Sequence, residues 1–273
     1  MKRKFCVKVL LSAFLLGGGG QLGTLSAWRT PLVENTSLLP HYICLTNREP
    51  LLSQTEEGID TCLWVVEDHS DKAVFQTRGD TIEISTPKGL TLWYKPRLTG
   101  DYEITYSACM PMDGDPNDRL SDLNCFWGAN DPQHLDNLFS RSEYRHGIFQ
   151  RYKTLTLFYV GYGGNHNSTT RFRQYYSGLP EQNDKEVRPV IKEYTDPEHL
   201  LKAGKWYHIR IVVKKDTSRF YVNDELLFTR KMKPQEADGN YGLRLLENHV
   251  LFVGFKVKQY KSCLLYTSDA ADE

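Results

Sequence analysis

Residues 204–228 alternate with period two and then turn back sharply, and few folds accept that pattern. Alternation over 206–213 sets Tyr207, Ile209, Ile211 and Val213 on one face and Trp206, His208 and Arg210 on the other. Lys215-Asp216 then turns into Arg219-Phe220-Tyr221-Val222, and Asn223-Asp224 forms a hairpin tip before Leu226-Leu227-Phe228. Phe220 and Val222 are therefore expected opposite Tyr221.

The same kind of run recurs along the chain. Short alternating or apolar stretches at 62–67, 73–77, 81–85, 90–94, 102–109, 123–129, 154–161, 170–176, 206–214, 219–222, 225–228, 241–246 and 250–260 are separated by Gly, Pro, Asn and Asp. Only 136–140 and 197–201 read as helical, about one turn each. So many strands without helices predict an all-β fold, a jelly-roll sandwich of two antiparallel sheets.

Both ends are set apart from that domain. Residues 1–27 run from Lys2-Arg3-Lys4 through an apolar stretch to small residues, the order of a secretory signal peptide. Residues 263–273 resemble the translation of a transposase sequencing adapter, which makes them an expected artefact and places the natural C-terminus outside this sequence. The remaining 235 residues suit one domain, read as an N-terminal arm at 28–60 and a sandwich at 61–262.

The excluded ends hold Lys2, Arg3, Lys4 and Lys8 against Asp269, Asp272 and Glu273, so the formal charge moves only from 0 to −1. Nothing in that balance draws a nucleic acid, and recognition of an acidic ligand must come from a local cluster. No stretch is apolar for long enough to span a membrane. Cys44, Cys62, Cys109 and Cys125 then face an oxidising compartment, secreted or periplasmic. A Cys44–Cys62 bridge could staple the arm, and Cys109 and Cys125 read as buried thiols. No zinc spacing occurs.

The series from Gly204 to Phe228, closed by residues 239–244 and 250–257, resembles the concanavalin A-like lectin/glucanase sandwich over about 60–260. Residues 118–132, 159–167, 170–173 and 247–249 resemble a narrower family of secreted Bacteroidota proteins related to YesU-type proteins of rhamnogalacturonan utilisation. The resemblance implies the fold and a carbohydrate-rich milieu; it carries over no catalytic residue.

The hairpin 155–173 is where chemistry concentrates. Alternation makes either Tyr159 or Tyr162 face a ligand and sends the other into the core. The turn supplies Asn165, His166 and Asn167, and the return strand supplies Arg171 and Arg173. These are the groups that β-elimination of a uronic acid polymer needs: Arg or Asn to neutralise the carboxylate, His166 or a Tyr as base, and a Tyr as acid. Asn124 and Trp127, the latter as a stacking plane, with Arg244, Asn248 and His249, are expected to complete the groove as substrate-binding residues.

Hydrolysis would need two carboxyl groups across the bond. Asp122, Asp131, Glu143 and Glu247 are the candidates, but the glucanase pattern of Glu-x-Asp-x-x-Glu is absent, and Glu143 reads as the ion-pair partner of Arg141 and Arg145. Residues 113–118 offer oxygen ligands at calcium-like spacing, although the loop departs from an EF-hand and reads first as a plain acidic turn. No cofactor is required, and structural calcium is the one metal this loop leaves open. The leading expectation is thus a secreted lyase acting on an acidic plant or algal polysaccharide. Its alternatives are a non-catalytic carbohydrate-binding protein or a glycoside hydrolase.

Overall fold

The computed structural model describes residues 56–260, except 136 and 178–181. The expected signal peptide, most of the arm, Cys44 and the adapter-like tail lie outside the described residues. All of the described residues fall in the compact unit Glu49–Glu273.

The domain is the expected antiparallel sandwich, and thirteen strands build it: β1 (Glu56–Glu57), β2 (Trp64–Asp68), β3 (Val74–Arg78), β4 (Thr81–Tyr94), β5 (Asp101–Cys109), β6 (Leu123–Asn130), β7 (Thr156–Gly163), β8 (Thr169–Tyr176), β9 (Val190–Tyr194), β10 (Trp206–Lys214), β11 (Thr217–Val222), β12 (Glu225–Lys231) and β13 (Asn240–Tyr260). Two of them belong to both sheets. The first half of β13 pairs with β6 and with the second half of β4; its second half pairs with β5 and with the first half of β4. The register slips between Leu246 and Asn248, where Glu247 adopts a φ of 49°, so a bulge bends the strand from one sheet into the other. One sheet then reads β9-β8-β7-β6-β13-β4-β2 and the other β12-β11-β10-β5-β13-β4-β3-β1.

The sequence reading splits each of these long strands in two, at Pro87-Lys88-Gly89 and at Glu247-Asn248-His249. The structure carries the pairing through both places, because a bend costs less than losing the ladder. β9 is a further departure. Its residues Val190 to Tyr194 show no clean apolar alternation, and the strand forms at the sheet edge by pairing with β8.

Alternation sorts the side chains as expected. Phe220 and Val222 are buried and Tyr221 is turned away, with Asn223 and Asp224 at the tip in left-handed conformation. Between the sheets, Trp127 is fully buried and stacks on Phe158, Phe172 and Phe220 at centroid distances of 5.6, 5.7 and 6.0 Å. Its Nε1 donates to Ser218 Oγ at 3.0 Å. Tyr162 is buried in the same core, edge-on to Tyr207. Cys109 and Cys125 are buried thiols, and burial pushes Cys125 up to about 12.

A second apolar cluster lies on the outer face of the β6–β7–β8 sheet. Trp93, Phe126, Leu157 and Tyr175 there are covered by Leu138, Tyr152 and Leu155 of the segment 131–155. That segment holds three short helical turns, Leu138–Arg141, Ser142–Arg145 and Phe149–Tyr152. Trp93 lies flat over β13 because residue 242 is glycine; a Cβ there would meet the indole ring at 2.6 Å.

The segment is pinned by a buried ion pair. Arg145 and Glu67, each 1% exposed, join Nη2 to Oε1 at 2.7 Å, and Tyr152 donates its hydroxyl to the same carboxylate. Arg145 thus pairs with Glu67, 78 positions away, and not with Glu143, which is exposed.

Candidate functional site

The segment 131–155 covers only part of this face. The uncovered part is a groove of about 270 Å³, whose floor is read directly from the strand register. One transverse row runs Glu67, Thr91, Arg244, Asn124, Gly161, Arg171, Glu193 across β2, β4, β13, β6, β7, β8 and β9. The adjacent row runs Trp93, Gly242, Phe126, Tyr159, Arg173. Because register partners share a face, alternation in seven strands converges on one polar strip, the first row.

Gly161 leaves a gap in the first row, and the Tyr159 side chain leans over it: a Cβ at 161 would meet Tyr159 Oη at 2.8 Å. Tyr159 also contacts Phe149 and Tyr175 at centroid distances of 5.9 and 6.0 Å. Three aromatic side chains therefore wall the groove, a common way of meeting the apolar faces of a ring-shaped ligand. Burial pushes the Tyr159 phenol well above its usual range, although Arg244 and Arg173 work against that. It is a hydrogen-bond donor at neutral pH.

The charges do not balance. Arg145 is matched by Glu67, Arg119 by Asp122 at 3.0 Å, Arg188 by Asp184 at 2.7 Å, and Arg171 by Glu193. Lys153 shares Asp184 at 3.4 Å. Two guanidiniums that line the groove have no carboxylate among the described residues. Arg173 donates to the Arg188 carbonyl at 2.7 Å. Arg244, only 3% exposed, donates to Thr91 Oγ1 at 3.2 Å and to the Gly147 carbonyl at 2.8 Å, both neutral.

The groove also holds an orphan acceptor. Asn124 is 4% exposed; its Nδ2 donates to Asp122 Oδ1 at 3.3 Å, and its buried Oδ1 has no partner among the described residues.

Of the residues singled out in the sequence, Asp122, Asn124, Tyr159, Asn165, Arg171, Arg173 and Arg244 line this groove. The others lie elsewhere. Trp127 and Tyr162 face the opposite side of their strands, into the core, so Trp127 offers no stacking plane. His166 is exposed and not among the lining residues; it belongs to a tight turn in which Asn165, His166 and Asn167 all adopt left-handed φ of 52°, 55° and 56°. Asn167 spends its side chain on Leu201, accepting from the amide at 2.8 Å and donating to the carbonyl at 2.9 Å. Asn248 is fully buried and donates to the Ser121 carbonyl at 2.7 Å.

His249 sits beyond the β13 bulge in a different cluster. Nδ1 faces Asp118 at 3.1 Å and Asp113 at 3.6 Å, and Nε2 faces Glu83 at 3.0 Å. Burial opposes its charge, but Glu83 and Asp118 outweigh that and raise its pKa. Asp118 Oδ2 accepts from the Gly114 and Asp115 amides, and Asp115 Oδ1 from Ser85 Oγ. The loop's carboxylates are thus engaged by protein donors. The three possible ligands that cluster, Asp113, Asp118 and His249, include a ring nitrogen, a departure from the oxygen set that calcium favours.

Phe149, Lys153, Tyr175 and Asp184 also line the groove and escaped the sequence reading. Tyr175 had a signal, since alternation from Arg171 and Arg173 places it on the same face. Phe149 and Lys153 had none, because only the fold of 131–155 brings them here.

The two antiparallel sheets that share β4 and β13 make a jelly-roll sandwich of the concanavalin A-like, galectin-like fold class. The family model described as Domain of unknown function (DUF6250) matches residues 84–255, and the chain belongs to that family. Among solved structures it is similar to a protein of unknown function with a galectin-like fold from Bacillus subtilis, at 14% identity and a TM-score of 0.51, over 76% of this chain and 98% of that one. It is also similar to carbohydrate binding module CBM66 from Bacillus subtilis, at 13% identity and a TM-score of 0.46, over 72% of this chain and 95% of that one. An endo-beta-1,3-glucanase from Pyrococcus furiosus aligns at 9% identity and a TM-score of 0.46, over 74% of this chain and 90% of that one. No curated protein sequence matches. No helix among the described residues is long and apolar enough to cross a membrane.

Proposed function

We propose that this protein binds an acidic polysaccharide or oligosaccharide in the groove over Gly161. The observation that carries the reading is the pair of lining guanidiniums, Arg173 and Arg244, that lack a carboxylate among the described residues. Buried or half-buried charges are normally paired, so an anionic ligand is the natural complement. Phe149, Tyr159 and Tyr175 supply the apolar contact that a sugar ring takes.

Recognition has more support than catalysis. Elimination needs a base at the groove; His166 lies outside its lining, and the Tyr159 phenol is held protonated. Hydrolysis needs a carboxylic acid with a raised pKa facing a second carboxylate. Of Asp122, Asp131, Glu143 and Glu247, only Asp122 lines the groove. Its one acidic companion there is Asp184, whose burial is outweighed by Arg188 and Lys153, so its carboxyl is held below the usual range.

The leader expected at 1–27 extends the reading to a secreted or periplasmic protein. Among acidic polymers, rhamnogalacturonan is proposed on the likeness of residues 118–132, 159–167, 170–173 and 247–249 to the family related to YesU-type proteins. The cluster of Asp113, Asp118 and His249, where a structural calcium remains part of the reading, lies outside the groove lining.

A screen against rhamnogalacturonan, other pectins, ulvan and glycosaminoglycans tests the proposal. Retention on one acidic polymer, with no rise in ultraviolet absorbance and no new reducing ends, is expected. An absorbance rise would restore the lyase, new reducing ends alone would favour a hydrolase, and retention on no polymer would overturn the proposal.

A further inference from the structure

We infer that the groove is selective for a sugar carrying a carboxylate and a free hydroxyl on the same residue, a uronate, and that Arg244 and Asn124 read these two groups together. The inference rests on the groove being the carbohydrate site proposed above.

Arg244 and Asn124 are register partners on β13 and β6, side by side on one face. Each is buried, and each has an unmet need of opposite kind. Beneath the groove, Glu67, Arg145 and Arg244 are all at most 3% exposed, and the single carboxylate among them is taken by Arg145 and Tyr152. The layer therefore holds one positive charge too many, and an anion is what relieves it.

Asn124 requires the reverse. Its Oδ1 is an acceptor, so only a donor satisfies it. Asp122, the acid nearest to it, is no such donor, because its two oxygens accept from Arg119, Ser121 and Asn124 itself. A carboxylate or sulfate ion that bears no hydroxyl meets Arg244 and leaves Asn124 unpaired. A neutral sugar offers the hydroxyl and leaves Arg244 uncompensated. A uronate meets both within one ring. Esterifying its carboxylate removes one half of the match; placing a sulfate on the hydroxyl removes the other.

Gly161, next to Asn124 in the row, makes room for the Tyr159 ring, whose hydroxyl lies against it and makes no hydrogen bond among the described residues. A second unengaged polar group along the row supports a ligand that extends over several residues rather than an ion held at a point.

Calorimetric titration of the full chain with trigalacturonate, its methyl ester, galactotriose and trigalacturonate sulfated on its hydroxyls provides the test. Trigalacturonate should bind about tenfold or more tightly than any of the other three, the loss expected when a buried polar group is left unpaired. Asn124→Ala should weaken trigalacturonate by a similar factor while keeping the unfolding midpoint of the wild type. Arg244→Lys keeps the charge and loses the planar fork, and should reduce the preference for acid over ester. Arg173→Gln, a less buried change, secures the charge half should Arg244→Lys fail to fold. Equal binding of all four sugars, weakened together by Gly161→Ala, would leave the carbohydrate site standing and overturn the selectivity. Acid preference untouched by Asn124→Ala would overturn the hydroxyl half. Binding of none of the four would remove the site itself.

Discussion

The two faces of strands β6, β7 and β8 make an instructive contrast. On the inner face, Cys125, Trp127, Phe158, Val160, Tyr162 and Phe172 are all at most 3% exposed, and the one polar atom of Trp127 is satisfied by Ser218. On the outer face, the neighbours of those same residues are Asn124, Tyr159, Gly161, Arg171 and Arg173; among the described residues Arg173, like Arg244 alongside on β13, has no carboxylate, and the Asn124 amide oxygen has no donor. Neighbouring residues one position apart thus answer to different demands: one face is closed by the protein itself, whereas the other is closed only in part and stays incomplete at the groove. Unmet polar groups in a native fold cluster where a ligand completes them.

Substitutions on the two faces should therefore separate stability from binding. The largest expected effect is at Trp127, whose removal leaves a large cavity among stacked rings. Trp127→Ala should cost about 3–5 kcal/mol in urea unfolding. A cost below about 1 kcal/mol would show that Trp127 is not the core residue described. Glu67→Gln comes next. It leaves Arg145 buried without its counterion and should cost on the order of 3 kcal/mol, with weaker binding as the segment 131–155 loosens. Stability measured with and without ligand separates those two consequences.

On the outer face the order reverses. Arg173→Ala should change stability by no more than about 0.5 kcal/mol yet weaken acidic oligosaccharide binding by roughly 1.5–3 kcal/mol, the range for hydrogen bonds to charged groups. The residual affinity should depend less on salt than that of the wild type. The smallest effect is expected away from both faces, at His249. Its folded pKa is raised by Glu83 and Asp118, against the opposing effect of burial. It should add stability at pH below about 6.5, the unfolded histidine value, and that gain should fade as pH rises through the folded value. Thermal unfolding between pH 5 and 9, as an assay range of about four units, should show this decline. His249→Gln should remove it; an unchanged slope would contradict the assignment.

Much of the architecture was legible because period-two alternation is a local property. Residues 206–228 took the strands, tip and faces expected of them, and the same rule reduced the Tyr159 and Tyr162 alternatives to one ligand-facing phenol. Turn signals misled where the chain bends without ending a strand: Pro87 to Gly89 and Glu247 to His249 look like boundaries, yet the ladder continues past both. The site was legible only in part. Asn124, Tyr159, Arg171, Arg173 and Arg244 share a face through strand pairing, and each has the right parity along its own strand. His166 failed because polar character in a turn says nothing about where the turn points. Trp127 failed because its apolar ring was worth more between the sheets. The pairing of Arg145 with Glu67 depends on a segment with neither period, and no local pattern announces it.

A crystal structure of the protein soaked with trigalacturonate tests the central claim most directly. The account predicts a sugar ring against Tyr159 in this groove, with its carboxylate within about 3 Å of an Arg244 or Arg173 guanidinium nitrogen and a hydroxyl donating to Asn124 Oδ1. Sugar bound on another surface, with Arg244 and Asn124 as they stand in the free protein, would contradict it.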